Sequence, residues 1–221
     1  MYNSRTPFFS RSFDEIIWQI KIDPDNSLLA IELRKEGSLE FGYMIISIRT
    51  SESWFIPKPE AVNWWSSLSA INEDKLLINQ FEEKGDPGSG RQIVLNWRTQ
   101  EVFMNETWKN VNLSGNVLIP NVFEENSSDN DSVLEYLALE GIHAVGSVEY
   151  MEQSNHIIIG FYLKNEKSWT HELLWLKDES VFSKEVLDEE SNGLGGEGFF
   201  TFEKYLIFVQ NRQRLVIHEM E

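Results

Sequence analysis

The sequence predicts an all-β protein, most simply a small β-propeller of about five four-stranded blades. Short runs of β-branched and aromatic residues recur between turn signals such as DPDNS, NED and EQSN. Helical turns are expected only near residues 60–67 and 132–139. We therefore predict more than about 40% strand and less than about 10% helix. The alternation Ile31-Glu32-Leu33-Arg34 indicates a strand with one buried and one solvent-exposed face.

Two landmarks repeat along the chain. A polar turn followed by an apolar strand occurs at Leu28, Leu76, Leu118, Ile157 and Leu206. A hairpin turn follows the first four of these, at Arg49, Arg98, Glu140 and Lys177. Both landmarks recur at intervals of about 40 to 50 residues, and a unit of that length with four short strands is typical of a propeller blade.

This period divides the chain into blades within one domain, residues 1–221. The predicted blades are residues 13–57, 62–104, 108–141, 143–187 and 198–221. The last has room for three strands, so we expect residues 6–13 to pair beside residues 214–220 and to close the ring. Such pairing would cover an open sheet edge and bury Phe8, Phe9 and Phe13. A β-sandwich with a long meander is the alternative fold.

The turns RTSESWF, RTQEVF and KDESVF resemble the hairpins between the third and fourth strands of quinoprotein-like β-propeller repeats. The whole pattern is also similar to an uncharacterised family of Bacteroidetes proteins with no assigned activity. That resemblance implies no catalytic residues. The chain lacks the regular glycine-and-tryptophan docking repeats of quinoproteins, so a quinone cofactor is not implied.

Composition narrows the partners and the chemistry. The net charge of −17 disfavours nucleic acid and anionic membranes as partners; it is explained first by solubility and second by attraction of a cationic partner. The absence of cysteine excludes disulfides and thiolate metal sites. Neither a signal peptide nor an apolar stretch of about 18 residues is found, so a cytoplasmic location is expected.

Metal and cofactor sites are not predicted. The four histidines have no metal-ligand spacing, and the aspartates at 23, 25, 129 and 131 lack the rest of a calcium loop. The glycine-rich segments 85–91 and 193–198 are interpreted as hairpin or connecting loops, because neither has the lysine and following helix of a phosphate-binding loop.

The sequence favours a non-enzymatic binding or scaffold module that presents one loop-rich face to a protein or a small ligand. Loops on a rigid scaffold are the usual place for such a site. The candidate binding residues on that face are Trp64, Arg91, Trp108, Trp169 and His171. The alternative is a carbohydrate-active hydrolase with paired carboxylates in a central channel and tryptophans as sugar platforms.

Overall fold

A computed structural model describes residues 5–81, 90–104, 117–191 and 198–221. Strands make up 58% of these residues, and the helical content is one 12-residue helix. The predicted all-β class and both predicted contents are therefore confirmed for the described residues. The helix is too short and too polar to cross a membrane.

The elements follow one another in simple order. The strands of the first half are β1 (Phe9–Ser12), β2 (Ile16–Asp23), β3 (Leu28–Arg34), β4 (Phe41–Ser47), β5 (Ser53–Pro57), β6 (Ser66–Asn72), β7 (Lys75–Gln80), β8 (Arg91–Asn96) and β9 (Val102–Phe103). The remaining elements are β10 (Val117–Leu118), β11 (Asn121–Phe123), α1 (Ser128–Leu139), β12 (Val145–Gln153), β13 (His156–Lys164), β14 (Trp169–Lys177), β15 (Ser180–Ser191), β16 (Phe199–Phe202), β17 (Tyr205–Gln210) and β18 (Arg214–Glu219).

The chain divides into two compact units, which we call the first unit (Phe13–Gly115) and the second unit (Met1–Ser12 with Asn116–Glu221). The first unit contains two antiparallel sheets, ordered β2-β3-β4-β5 and β6-β7-β8-β9. These sheets coincide with the first two predicted blades. Their shared core is built from side chains of both sheets, among them Tyr43, Ile45, Leu76 and Ile78.

The second unit also contains two antiparallel sheets, ordered β11-β12-β13-β14-β15 and β1-β18-β17-β16-β10. Its β1 pairs with β18, from Phe9 opposite Ile217 to Ser12 opposite Arg214. The predicted pairing of the N-terminal segment with the last strand is therefore confirmed. Phe8 contacts the Tyr205 ring at 5.3 Å between centroids, but 40% of Phe8 remains exposed, so its predicted burial is wrong.

The structure differs from the five-blade prediction between residues 108 and 141. Of this stretch, residues 117–141 are described; β10 pairs with β16, β11 pairs with β12, and α1 follows. Leu118 is therefore not equivalent to the other repeat landmarks, and Glu140 caps the C-terminus of a helix instead of forming a hairpin. Four sheets are observed in the described residues.

Helix α1 forms at this point because its N-terminus is well capped. The Ser127 side chain accepts a hydrogen bond from the Asn130 backbone N–H. Asp129 and Asp131 lie in the first turn, where their negative charges interact favourably with the positive end of the helix dipole. The second predicted helical stretch, residues 60–67, is wrong: it contains a turn and the start of β6.

The four remaining strand landmarks share one local geometry. Leu28, Leu76, Ile157 and Leu206 each lie in the first two positions of the strand that follows a tight turn. Each turn contains a residue with positive φ, namely Ser27, Glu73, Ser154 and Glu203 at 51° to 56°. The four landmarks therefore occupy similar positions, just after a turn, in the four sheets.

The contacts between consecutive sheets repeat as well. In the first unit, the Asp23 carboxylate accepts a hydrogen bond from the Glu73 backbone N–H at 2.6 Å. In the second unit, the Gln153 side chain donates to the Glu203 carbonyl, also at 2.6 Å. Both pairs are 50 residues apart in sequence, so the two units join their sheets at equivalent turns.

Strand β3 is buried on both faces, so the predicted solvent-exposed face is wrong. Glu32 and Arg34 form a buried salt bridge, with 2.6 Å between Arg34 Nε and Glu32 Oε1. The second sheet completes their hydrogen bonds: Arg34 donates to the carbonyls of Trp64 and Ser66, and Glu32 accepts from the Leu68 N–H. Two charges can remain buried here because each has several polar partners.

Replacing Arg34 with methionine should lower the free energy of unfolding by about 3–5 kcal/mol, because Glu32 would be left as a buried charge without its cation. The double variant Glu32→Leu/Arg34→Met should recover at least half of the loss. Urea unfolding measures both. Lys35→Met, which breaks the exposed Lys35–Glu40 pair, is the control and should change stability little. An Arg34 variant as stable as this control would contradict the role of the buried pair.

Two histidines lie in the core of the second unit. The Trp175 indole donates to His156 Nδ1 at 3.0 Å, and the His218 ring stacks on Phe208 with 5.7 Å between centroids. Burial lowers the pKa of both imidazoles, and for His218 the nearby Arg5 and Arg214 lower it further, to about 4. Both rings are therefore neutral in the folded chain at pH 7.

The neutral state of His218 makes stability depend on pH. Unfolded His218 takes up a proton below about pH 6.5, whereas the folded ring resists protonation down to about pH 4. As the pH is lowered from about 6.5 to about 4, the free energy of unfolding should therefore decrease. This residue should contribute on the order of 2 kcal/mol to the decrease. Urea unfolding at pH 7.0 and 4.5 should show a smaller loss for His218→Gln than for the exposed-site control His143→Gln. Equal losses would show that His218 does not contribute.

Candidate functional site

The structure places four of the five predicted binding residues, and Trp108 lies outside the described residues. Arg91 begins β8 and is exposed. Trp64 is half-buried just before β6, and its ring centroid lies 4.7 Å from the Arg34 guanidinium carbon. Trp64 and Arg91 lie at the same end of their sheet, because Gln80 pairs with Arg91 and also bonds to Asn63. The Trp64 side chain therefore packs against the core and is also partly exposed to solvent.

Trp169 and His171 lie two residues apart on β14 and project to the same face of the sheet. Trp169 is half-buried and has the Lys164 ammonium 5.6 Å from its ring centroid. His171 is buried, stacks on Tyr162 at 4.3 Å and lies 3.2 Å from the Glu149 carboxylate. His171 is a core residue in this structure, whereas Trp169 is only partly buried.

The described residues around His171 and Glu149 are closely packed. The Glu149 carboxylate accepts a hydrogen bond from the Gly198 N–H at 2.9 Å, next to the start of β16. A Cβ atom at Gly160 would lie 2.4 Å from Glu149 Oε2, so glycine is required for the carboxylate to fit. This arrangement joins the two sheets of the second unit.

A groove on the first sheet is the best candidate for a ligand site. It has a volume of about 320 Å³ and is lined by Asp14, Glu15, Leu33, Lys35, Glu40, Phe41, Gly42 and Phe55. It lies where β2 begins, β3 ends and β4 begins, and the edge strand β5 closes one side. We refer to this set of residues as the groove.

The apolar part of the groove depends on Gly42. Leu33 and Phe41 are buried beside it, and the Phe55 side chain lies directly against the glycine. A Cβ atom at position 42 would come within 2.8 Å of Phe55 Cζ, closer than real side chains pack. Phe55 nevertheless remains 53% exposed, so its ring forms a wall that is open to solvent.

The charged part of the groove is predominantly acidic. Asp14, Glu15 and Glu40 are the three carboxylates, and Lys35 is the one cation of the lining. Lys35 is engaged by Glu40 at 3.0 Å. Its hydrogen bond and charge interaction with Glu40, with a smaller contribution from Glu15, raise the pKa of the Lys35 ammonium. The Glu40 and Glu15 carboxylates therefore both interact with the Lys35 ammonium group.

Phe41 connects the groove to the buried salt bridge behind it. The Phe41 ring lies 5.7 Å from the Arg34 guanidinium carbon and meets the Trp64 ring edge-on at 6.0 Å. Arg34 also lies against the ring of Trp18, whose side chain is half exposed on β2. The back of the groove is consequently held by the same contacts that join the two sheets.

The groove could bind a small group by burial against aromatic and aliphatic side chains together with attraction to carboxylates. Within the described ranges, no group of three or more histidine or acidic side chains could hold a metal ion. The hydrolase alternative, with two carboxylates in a deep channel, stays a prediction. The groove residues are separated by up to about 40 positions in sequence, so no local motif identifies them. The acidic composition of the chain is the one feature of the sequence that pointed toward such a site.

Alanine substitutions should separate the core histidine from the surface tryptophan. His171→Ala should lower the free energy of unfolding by about 2–3 kcal/mol, because it removes a buried ring that stacks on Tyr162 and leaves a cavity beside the Glu149 carboxylate. Trp169→Ala should cost about 1 kcal/mol, since the ring is half-exposed at the start of a strand. Urea unfolding checks both. A loss of about 3 kcal/mol or more for Trp169→Ala would make it a core residue and remove it as a binding candidate.

Comparison with known proteins gives one match. Residues 22–104 match the model of a domain of unknown function, DUF4905. The matched segment includes six of the eight groove residues, Leu33 to Phe55, and it excludes Asp14 and Glu15. No curated protein and no solved structure matches the chain.

Proposed function

We propose that this protein is a non-enzymatic binding module built on a propeller-like array of four- and five-stranded sheets, with the groove as its ligand site. The observation that carries the proposal is the groove itself. Its volume of about 320 Å³ falls at the lower end of the range for small-ligand sites. Apolar walls combined with a few charged groups are the composition that such sites have.

The repeated geometry of the sheets supports the propeller-like array. Each of the four sheets contains a short turn with a positive-φ residue, and in three of them it is a two-residue turn whose first residue has the positive φ. Three of them also join their two hairpin turns by one backbone hydrogen bond, from Ile48 to Ser27, from Trp97 to Asp74 and from Asp178 to Asn155. Regular repetition of a sheet with fixed turn contacts is the pattern of propeller blades.

The rigidity of the groove supports binding without large rearrangement. Leu33 and Phe41 belong to strands with every residue buried, and Gly42 fixes how closely Phe55 can approach. A site on strands loses less conformational entropy on binding than one on a loop. The apolar part of the groove, on β3, β4 and β5, is therefore preorganised for a ligand of matching size.

A fragment screen by NMR tests this proposal. Small aromatic and aliphatic fragments titrated into the ¹⁵N-labelled full chain should shift the amide signals of Gly42 and Phe55 first. Phe55→Ala should weaken fragment binding by about fivefold or more, because it removes the exposed wall. Phe103→Ala, which removes another partly exposed phenylalanine of the same unit, is the matched control and should have no effect. Fragments that bind Phe55→Ala as well as the unaltered chain would refute the groove as the site.

A further inference from the structure

We propose that the groove binds the cationic side chain of a lysine or arginine in a basic segment of a partner protein. The inference rests on the proposed function, because it assigns a ligand class to the same groove. It is carried by the combination of an apolar floor, an exposed aromatic wall and an excess of carboxylates at one place.

The charge of the groove selects a cation. Its lining contains three carboxylates and one ammonium group, so the lining has a formal charge of −2. The chain as a whole carries −17, which adds a long-range attraction for basic partners and a repulsion for acidic ones. An anionic ligand would be repelled both by the charge of the lining and by the net charge of the chain.

The shape of the groove selects a cation on an apolar stem. Leu33, Phe41 and Gly42 form a floor on which methylene groups can be buried, as the stems of lysine and arginine are when their charged ends remain near water. The exposed Phe55 ring provides a π face, which attracts an ammonium or guanidinium group. A volume of about 320 Å³ accommodates one side chain more readily than a large cofactor.

The chain already uses this combination internally. The Arg34 guanidinium is bound by the Glu32 carboxylate and lies 4.7 Å from the ring centroids of both Trp18 and Trp64. The groove presents the same two kinds of group, with carboxylates just before β2 and β4 and the Phe55 ring on β5. The difference is that its aromatic wall is open to solvent.

The location of the groove favours a protein segment over a free small amine. β5 is the edge strand of its sheet, and the groove lies between this edge and the β3–β4 connection. A peptide chain can therefore lie along the rim while one side chain enters. Additional contacts of the peptide with the rim should make its affinity greater than that of the isolated side chain.

A matched peptide series tests the inference. Four nonapeptides with Gly/Ser flanks and a central lysine, arginine, norleucine or glutamate are titrated into the ¹⁵N-labelled full chain, with n-butylammonium as a fifth probe. The lysine and arginine peptides should shift the Gly42 and Phe55 signals and bind about tenfold more tightly than the norleucine peptide. Their affinity should fall severalfold between about 50 and 300 mM NaCl, as salt screens the carboxylates.

Three substitutions locate the interaction. Glu15→Gln should weaken binding of the lysine peptide by about threefold, and Phe55→Leu should do the same because it keeps apolar bulk but removes the π face. Glu60→Gln removes an exposed carboxylate of the same unit outside the groove and should leave the affinity within about twofold. Equal effects of Glu15→Gln and Glu60→Gln would overturn the inference, since binding would then reflect the overall acidity of the surface.

The outcomes separate this inference from the proposed function. If the norleucine peptide binds as tightly as the lysine peptide, the cation assignment is wrong and the groove remains a binding site. If n-butylammonium binds as tightly as the lysine peptide, the ligand is a small amine and the partner assignment is wrong. If fragments bind the groove and no peptide does, this inference alone fails. If neither fragments nor peptides bind, both proposals fail.

Discussion

The salt bridge between Glu32 and Arg34 places two charges inside the first unit, and much of that unit is arranged around them. Both residues lie on the buried strand β3, so their charges must be compensated by neighbouring groups. The second sheet provides the carbonyls of Trp64 and Ser66 and the N–H of Leu68. These bonds require β6 to lie at a defined position beside β3, and they therefore set the register between the two sheets.

The same strand links stability to the candidate site. Successive side chains of a strand alternate between its faces, so Glu32 and Arg34 point toward the second sheet while Leu33 and the following Lys35 line the groove. Phe41 is shared, since it lies near the Arg34 guanidinium and also forms part of the groove floor. The position of the groove is consequently a result of how the buried charges are satisfied.

The second unit also has a buried carboxylate between its two sheets, with different neighbouring residues. Glu149 on β12 accepts a hydrogen bond from the Gly198 N–H beside the neighbouring sheet, as Glu32 does from the Leu68 N–H, and His171 on β14 lies 3.2 Å from the Glu149 carboxylate. Arginine keeps its charge at every physiological pH, whereas a histidine can be neutral. Joining consecutive sheets through a buried carboxylate is thus a shared feature of both units, although the partner group differs.

Local sequence signals determined the all-β class and the positions of the turns, because these features depend on neighbouring residues. The pairing of the N-terminal segment with β18 was also predictable, because an unpaired sheet edge has to be covered. The stretch NVLIPNV resembled another blade, yet its two short strands join different sheets, and strand pairing partners are chosen by non-local contacts. Alternation on β3 could not reveal that its polar face is buried, since a second sheet must cover it. The groove likewise required the tertiary structure, because chain folding brings Asp14, Glu40 and Phe55 together from separate turns and strands.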